Sequence, residues 1–317
     1  MGVIPVKKTR PRRSRQRGLT ARAGLAVGII VLLAAGFAYA WHANNAGPDI
    51  SHVHGLAVDP FDPDRIWVAT HEGLLVWRES KGWEGPVGSI IDLMGFAVAP
   101  ERDVLYASGH PGPGLNMPNP VGLIRSRDGG RSWEPVALAG EVDFHAMAVS
   151  PADQRRIYGF FYGDGRFYRS DDGGRTWTRT EVAAIAGPHG RGPLQLVAHP
   201  TDPDTLLAAG EDGLLRSEDG GRTWQPILPG AVTAAAFVPS DPQQLLAYAV
   251  AAGLVRSADG GRTWQPLGLQ VGDDRDPVVA IAVHPGEAGT VYVATFAGNL
   301  LRTQDGGRTW QYLWRRR

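Results

Sequence analysis

Eight residues, 170–177 (SDDGGRTW), return in near-copy four more times along the chain, and a unit repeated in phase leaves few folds open. The copies occupy 126–133 (SRDGGRSW), 217–224 (SEDGGRTW), 257–264 (SADGGRTW) and 303–310 (TQDGGRTW), with closing tryptophans 44, 47, 40 and 46 residues apart. A unit of about 40 to 50 residues cannot bury its own apolar faces and must stack on its neighbours, as a solenoid or a propeller. The octet itself reads as a hairpin corner. Ser and Asp accept from nearby backbone N–H groups, Gly-Gly supplies positive φ, and Thr then Trp opens the next strand with a large side chain to bury. Calcium is the competing reading of so many Asp-Gly pairs, but the D-x-[DN]-x-[DN]-G loop with its distal Glu is absent.

From Ser51 onward the chain divides into six such units, each reading as four short strands, A to D from the inside out. The inner A strands are expected at 54–58, 94–98, 145–149, 194–198, 234–238 and 279–283, Ala- and Val-rich as strands buried on both faces are. The B strands are expected at 65–70, 104–108, 156–162, 206–209, 245–250 and 291–295. In the first unit the corner is degenerate: 77–83 (WRESKGW) keeps the closing Trp and loses Asp-Gly-Gly. The expected fold is therefore all-β, a six-bladed β-propeller over residues 51–317.

Ahead of it, residues 1–22 hold eight Lys/Arg and no acid, and 23–41 (AGLAVGIIVLLAAGFAYAW) carry no charge. Nineteen apolar residues are long enough to span a bilayer, with the basic flank kept in the cytoplasm. Ala38-Tyr39-Ala40 also fits a cleavage site, so a transmembrane anchor and a removed signal peptide are both open. Either one exports the body, through a polar linker at 42–50. With eight basic residues set aside, 24 Lys/Arg face 32 Asp/Glu, a net of −8 that disfavours nucleic acid. The chain has no cysteine, so an oxidising compartment neither threatens nor staples it.

Strand parity then sorts the histidines. In an up-and-down blade the A-B and C-D turns share one rim and the D-A and B-C turns the other. The corners are C-D turns. His199 and His284 fall in A-B turns on the corner rim, and His42 falls in the linker. His52 and His54 at the start of the first A strand, His71 and His110 at B-strand ends, His145 at the third A strand and His189 in a D-A loop all belong to the opposite rim. Met94 opens the second A strand among them. Imidazoles converging at a channel mouth suit zinc or copper, and a thioether tilts the choice to copper. The expected metal set is His54, His71, His110 and His145 with Met94, against the alternative that a polar channel mouth needs hydrogen-bonding side chains and no ion.

The octet resembles the Asp-box, or BNR repeat, and its period resembles that of sialidase, sortilin-type and photosystem II assembly-factor propellers. In those families the box is a fold element away from the active face. The order HVHGL, THEGL, LMGF, YASGHPGPG, NPVGL, DFHAMAVS over residues 51–150 also resembles a family of exported bacterial Asp-box propellers, whose members are often called glycosyl hydrolases. That name implies an enzyme, and it can be weighed on residues. Ten arginines follow the repeat itself, at 125, 169, 216, 256 and 302 before each box and at 131, 175, 222, 262 and 308 inside it, which leaves few for a sialidase-like carboxylate grip. A two-carboxylate hydrolase would draw on Glu72 and Asp143, needing a pair about 5 to 9 Å apart across the bond. No phosphate loop, G-x-S-x-G elbow or dinucleotide fingerprint occurs. The expected role is an extracytoplasmic binding or assembly propeller that presents its His-rich face to a protein, peptide or glycan, is tied to the membrane by its N-terminal helix, and holds copper or zinc; carbohydrate hydrolysis is the alternative.

Overall fold

A computed structural model describes residues 47–48, 50–187, 191–269, 271 and 276–316. The basic segment, the apolar stretch at 23–41, His42 and His189 lie outside the described residues. Among the described residues no helix is long and apolar enough to cross a membrane.

Six four-stranded antiparallel sheets follow one another in sequence, each built from consecutive strands. The inner strands are β1 (Val53–Val58), β5 (Ile91–Val98), β9 (Phe144–Val149), β13 (Gln195–Ala198), β17 (Val232–Phe237) and β21 (Val278–Val283). Each packs on the next, and β21 packs on β1, so the ring closes. Closure exchanges no strand between first and last blade. It rests on side chains: the Arg302–Glu79 ion pair and the edge-on ring contact of Trp83 with Trp314.

The second strands are β2 (Arg65–Thr70), β6 (Leu105–Pro111), β10 (Ile157–Phe161), β14 (Leu206–Gly210), β18 (Leu245–Ala249) and β22 (Val291–Thr295). Their side chains alternate between two neighbours because strand side chains point to opposite faces. In β2, Ile66 and Val68 enter the core shared with blade 6, while Trp67 and Ala69 enter the core shared with blade 2. The same division gives six apolar cores, one per interface between adjacent blades. One four-residue helix, α1 (Ala183–Ala186), sits between the third and fourth blades and buries Ile185 there.

The repeated corner is satisfied from within. Ser170 Oγ accepts from Gly174 N at 2.8 Å, and Asp172 Oδ1 accepts from the backbone N–H groups of Arg175 and Thr176 at 3.0 and 2.9 Å. Thr176 Oγ1 donates to Asp172 Oδ2 and the Trp177 indole donates to Gly174 O. Gly174 needs to be glycine on two counts: its φ is +86°, and a Cβ there would meet Leu123 of the preceding blade at 2.4 Å. Gly173 N donates to Arg155 O in the A-B turn of the same blade, and the first box glycines of the other four copies do the same. Corners and A-B turns therefore share a rim, as parity requires. His199 and His284 behave there as turn residues: their Nδ1 atoms accept from Asp202 N and Gly286 N. In blade 1 Asp64 takes over for the lost aspartate, accepting from Ser80 N and Oγ, and Trp83 is left with a buried indole N–H that has no hydrogen-bond partner.

Replacing Ser217, whose buried hydroxyl accepts from Gly221 N, by alanine should cost about 1–3 kcal/mol in a denaturant melt, since the orphaned N–H stays buried. Hydrogen bonds to the carboxylates hold Asp172 (from Thr176 N–H and hydroxyl) and Asp259 (from the Thr263 hydroxyl and N–H) down at about 2. A carboxyl lowered in the fold contributes stability above the unfolded value, near 4, and loses it as pH falls toward 2. Circular dichroism should show unfolding in that window, and less pH dependence there once box aspartates are replaced by asparagine.

Candidate functional site

The mouth on the opposite rim is built by one backbone device used repeatedly. Near the start of five of the six inner strands the register slips by one residue, a β-bulge that leaves a side chain without a cross-strand partner. The slip falls at His54, Met94, His145, Thr233 and Val279; in blade 4 the residue at the matching place is Leu194, just ahead of the strand, whose N–H donates to the O of Ala209, the partner of Gln195. Inner strands crowd one another at this level. A Cβ on Gly55 would meet Phe96 at 2.9 Å, and one on Gly95 would meet Phe144 O at 2.2 Å, which accounts for the His-Gly and Met-Gly pairs of the sequence.

Register makes three positions equivalent from blade to blade: the bulge, the residue two before it, and, on the second strand, the residue that follows the one opposite the residue just before the bulge. Blades 1 to 3 carry His52, His54 and His71, then Asp92, Met94 and His110, then Asp143, His145 and Tyr162. Blades 4 to 6 carry Gly192, Leu194 and Glu211, then Ala231, Thr233 and Val250, then Pro277, Val279 and Phe296. The fold thus presents the same eighteen positions around the mouth, and the imidazoles all fall in one half.

Within that half each blade reaches to the next. His71 Nδ1 lies 2.7 Å from Asp92 Oδ1, and His110 Nε2 lies 3.1 Å from Asp143 Oδ2, the same contact one blade on. Tyr162 OH donates to Pro193 O, and Phe296 stacks on His52 with ring centroids 4.2 Å apart. Where the first blade's three positions meet, His71 Nε2 is 3.2 Å from His54 Nε2 and 3.1 Å from His52 Nδ1. The ligand atoms of the three rings all lie within 4.8 Å of one another. Asp92 fixes the tautomer of His71: with Nδ1–H donated to the carboxylate, the Nε2 lone pair faces the other two rings. Nitrogens bound to one tetrahedral zinc at ~2.0–2.1 Å stand about 3.3 Å apart.

The His54 ring is neutral. Burial, and then the neighbouring His71, His145 and His52, pull it down to about 3, so it is uncharged at neutral pH. Asp143 is shifted the other way, upward, mainly by burial; the pull of His145 and His110 opposes this and the charge of Asp92 adds to it. His110 Nδ1 faces Asn119 Oδ1 at 2.7 Å, which leaves its Nε2 toward Asp143. His145 Nδ1 is 3.4 Å from Asp143 Oδ2 but out of hydrogen-bond geometry, and it and Asp143 Oδ1 are buried without hydrogen-bond partners. His145 lies flat against Tyr162, whose hydroxyl burial and the Asp143 charge push up to about 12.

Of the residues singled out in the sequence, His54 and His71 are brought together and His52 completes their triad; His110 and His145 instead flank Asp143. Met94 is half-buried at its bulge. Glu72, second residue of the tight turn between Thr70 and Gly73, accepts from Ser51 N at 3.3 Å and from the Ser51 hydroxyl. The triad had a sequence signal, two histidines at i and i+2 on one side of a strand. The partnership of His71 with Asp92 had none, because it joins two blades.

A family model described as "Sortilin, neurotensin receptor 3" matches residues 122–250. No curated protein sequence matches the chain. Among solved structures, the GH74 xyloglucanase from Xanthomonas campestris superposes with a TM-score of 0.56 at 19% identity over 84% of this chain and 55% of that one. The GH74 enzyme of Niastella koreensis does so with 0.56 at 15% identity over the same shares. YCF48 from Cyanidioschyzon merolae gives 0.51 at 17% identity, covering 84% of this chain and 85% of its own. The chain spans about half the length of the GH74 enzymes. Likeness at such identity is likeness of fold.

The His54 ring should stay neutral on acidification to pH 5, readable as an unchanged tautomer pattern in long-range ¹H–¹⁵N spectra of the metal-free protein.

Proposed function

We propose that this chain, an Asp-box β-propeller related to the sortilin-type and YCF48 propellers, is an extracytoplasmic binding or assembly protein that holds a transition-metal ion at His52, His54 and His71 and meets its partner on that rim. One observation carries the reading: three imidazole nitrogens converge at roughly the spacing of ligands on one ion, with Asp92 orienting one of them. Neutral imidazoles favour zinc or copper, and three protein ligands leave a coordination position open. His110, His145 and Met94, the other members of the sequence-derived set, stand at the equivalent positions of the next two blades, where they line the mouth beside the ion. The apolar stretch at 23–41 would keep the propeller at the outer face of a membrane, or be removed after export; mass spectrometry of the native N-terminus separates the two.

Full-length protein exposed to zinc or copper and then desalted should retain about one ion per chain by elemental analysis. His54→Ala and His71→Ala should abolish this retention, and Asp92→Asn should weaken affinity about 10- to 100-fold. Retention unaffected by the His changes would overturn the assignment. Carbohydrate hydrolysis, with Asp143 and Glu72 as the pair, draws support from Asp143, whose burial raises it as a general acid requires. On that reading wild-type protein should cleave a member of a glycan panel and Asp143→Asn should not; a panel left intact removes it.

A further inference from the structure

Asp143 is a second centre on the histidine-bearing rim, two blades from the triad. The residue is 8% exposed, and its Oδ1 is shielded from solvent with no hydrogen-bond partner. Its Oδ2 lies 3.1 Å from His110 Nε2 and 3.4 Å from His145 Nδ1, and that last nitrogen is also buried and unpartnered. A buried polar atom without a partner costs about 1–3 kcal/mol, so two in one cluster call for something between them.

Both imidazoles are held from behind, as His71 is by Asp92. With Nδ1–H donated to Asn119 Oδ1 at 2.7 Å, His110 turns its Nε2 lone pair toward Asp143. His145 lies flat against Tyr162, whose hydroxyl donates to Pro193 O. A nitrogen lone pair and a carboxylate oxygen are both acceptors, and at 3.1 Å they repel unless positive charge lies between them. A proton on Oδ2 answers one imidazole and leaves the other, with Oδ1, unpaired. One metal ion answers them together: an imidazole nitrogen and a carboxylate oxygen bound to the same ion at ~2.0–2.2 Å stand about 3.0–3.5 Å apart. Burial raises Asp143, and an adjoining cation would favour its ionised form instead. The His110 side chain is 40% exposed against 11% for Asp143, so the way in lies on the His110 side.

We infer that His110, Asp143 and His145 form a second cation site, which takes zinc or a similar divalent first-row ion whether or not the triad is filled. Two imidazoles and one carboxylate are a suitable donor set for such an ion. Among the described residues only the triad brings three ligand atoms within 4.8 Å of one another, so the second site must tighten on its ion and is the weaker of the two. It empties on desalting while the triad stays loaded.

Equilibrium dialysis of full-length protein against excess zinc, followed by elemental analysis without desalting, should find two ions per chain. Asp143→Asn and His145→Gln should each leave one, which survives desalting; His54→Ala should also leave one, which does not. Circular dichroism melts identify any variant that fails to fold, and His110→Gln, at the most exposed of the three positions, then carries the test. One ion in wild type that depends on His54 alone would leave the triad standing and overturn the second site, its buried atoms being met by a proton and water. Two ions unaffected by the Asp143, His145 and His110 changes would place the second ion elsewhere and overturn it too. One ion lost on changing either His54 or Asp143 would show a single site shared by both clusters, which also overturns it. One ion that depends on Asp143 and not on His54 would uphold this site and remove the triad's. No zinc in wild type would overturn both.

Discussion

Each sheet in this protein is apolar on both faces, and nothing but another sheet is available to cover them. That constraint makes a ring of the chain. A second strand such as Arg65–Thr70 must supply side chains to two cores at once, so it reads as an unbroken apolar run rather than an alternating one. Removing one face's cover would expose a row of such residues, and closure of the sixth blade on the first is therefore as necessary as any internal interface. It is achieved by packing, an ion pair and an edge-on pair of indoles, with no strand shared across the seam.

Crowding at the axis follows from closure, and the form of the histidine-bearing rim follows from crowding. Inner strands approach closely enough that glycine is required at Gly55 and Gly95, and the register slips beside them. A slipped residue has no cross-strand partner, so its side chain is not committed to the ladder. The corner rim is spent differently: its Ser, Asp, Thr and Trp groups are consumed in satisfying one another and the A-B turn.

Burial at the mouth acts oppositely on its two kinds of titratable group. It lowers His54 and raises Asp143, both toward the uncharged form, because a half-dry cavity penalises charge of either sign. Asp92 accepts from His71 and so sets its tautomer, and a His–Asp approach between blades recurs at His110 and Asp143. Similar propellers occur in GH74 enzymes and in YCF48, so the ring is a platform and its use depends on which side chains occupy the eighteen mouth positions.

Local sequence carried the blade count, the corner and the order of strands, because each depends on residues close together in the chain. The five octets, the Ala- and Val-rich inner strands and the rim assigned to each histidine all came from periods and turn chemistry, and His54 with His71 could be paired because both belong to one blade. Stand-in Asp64 in the degenerate first corner, the orphaned Trp83 indole and the contact of Phe296 with His52 required coordinates. So did the division of the histidines into a triad and a pair around Asp143. The physical reason is common to all of them: within a blade, spacing along the chain sets which side chains meet, whereas between blades, and across the seam joining the last to the first, only the closed ring brings them within reach.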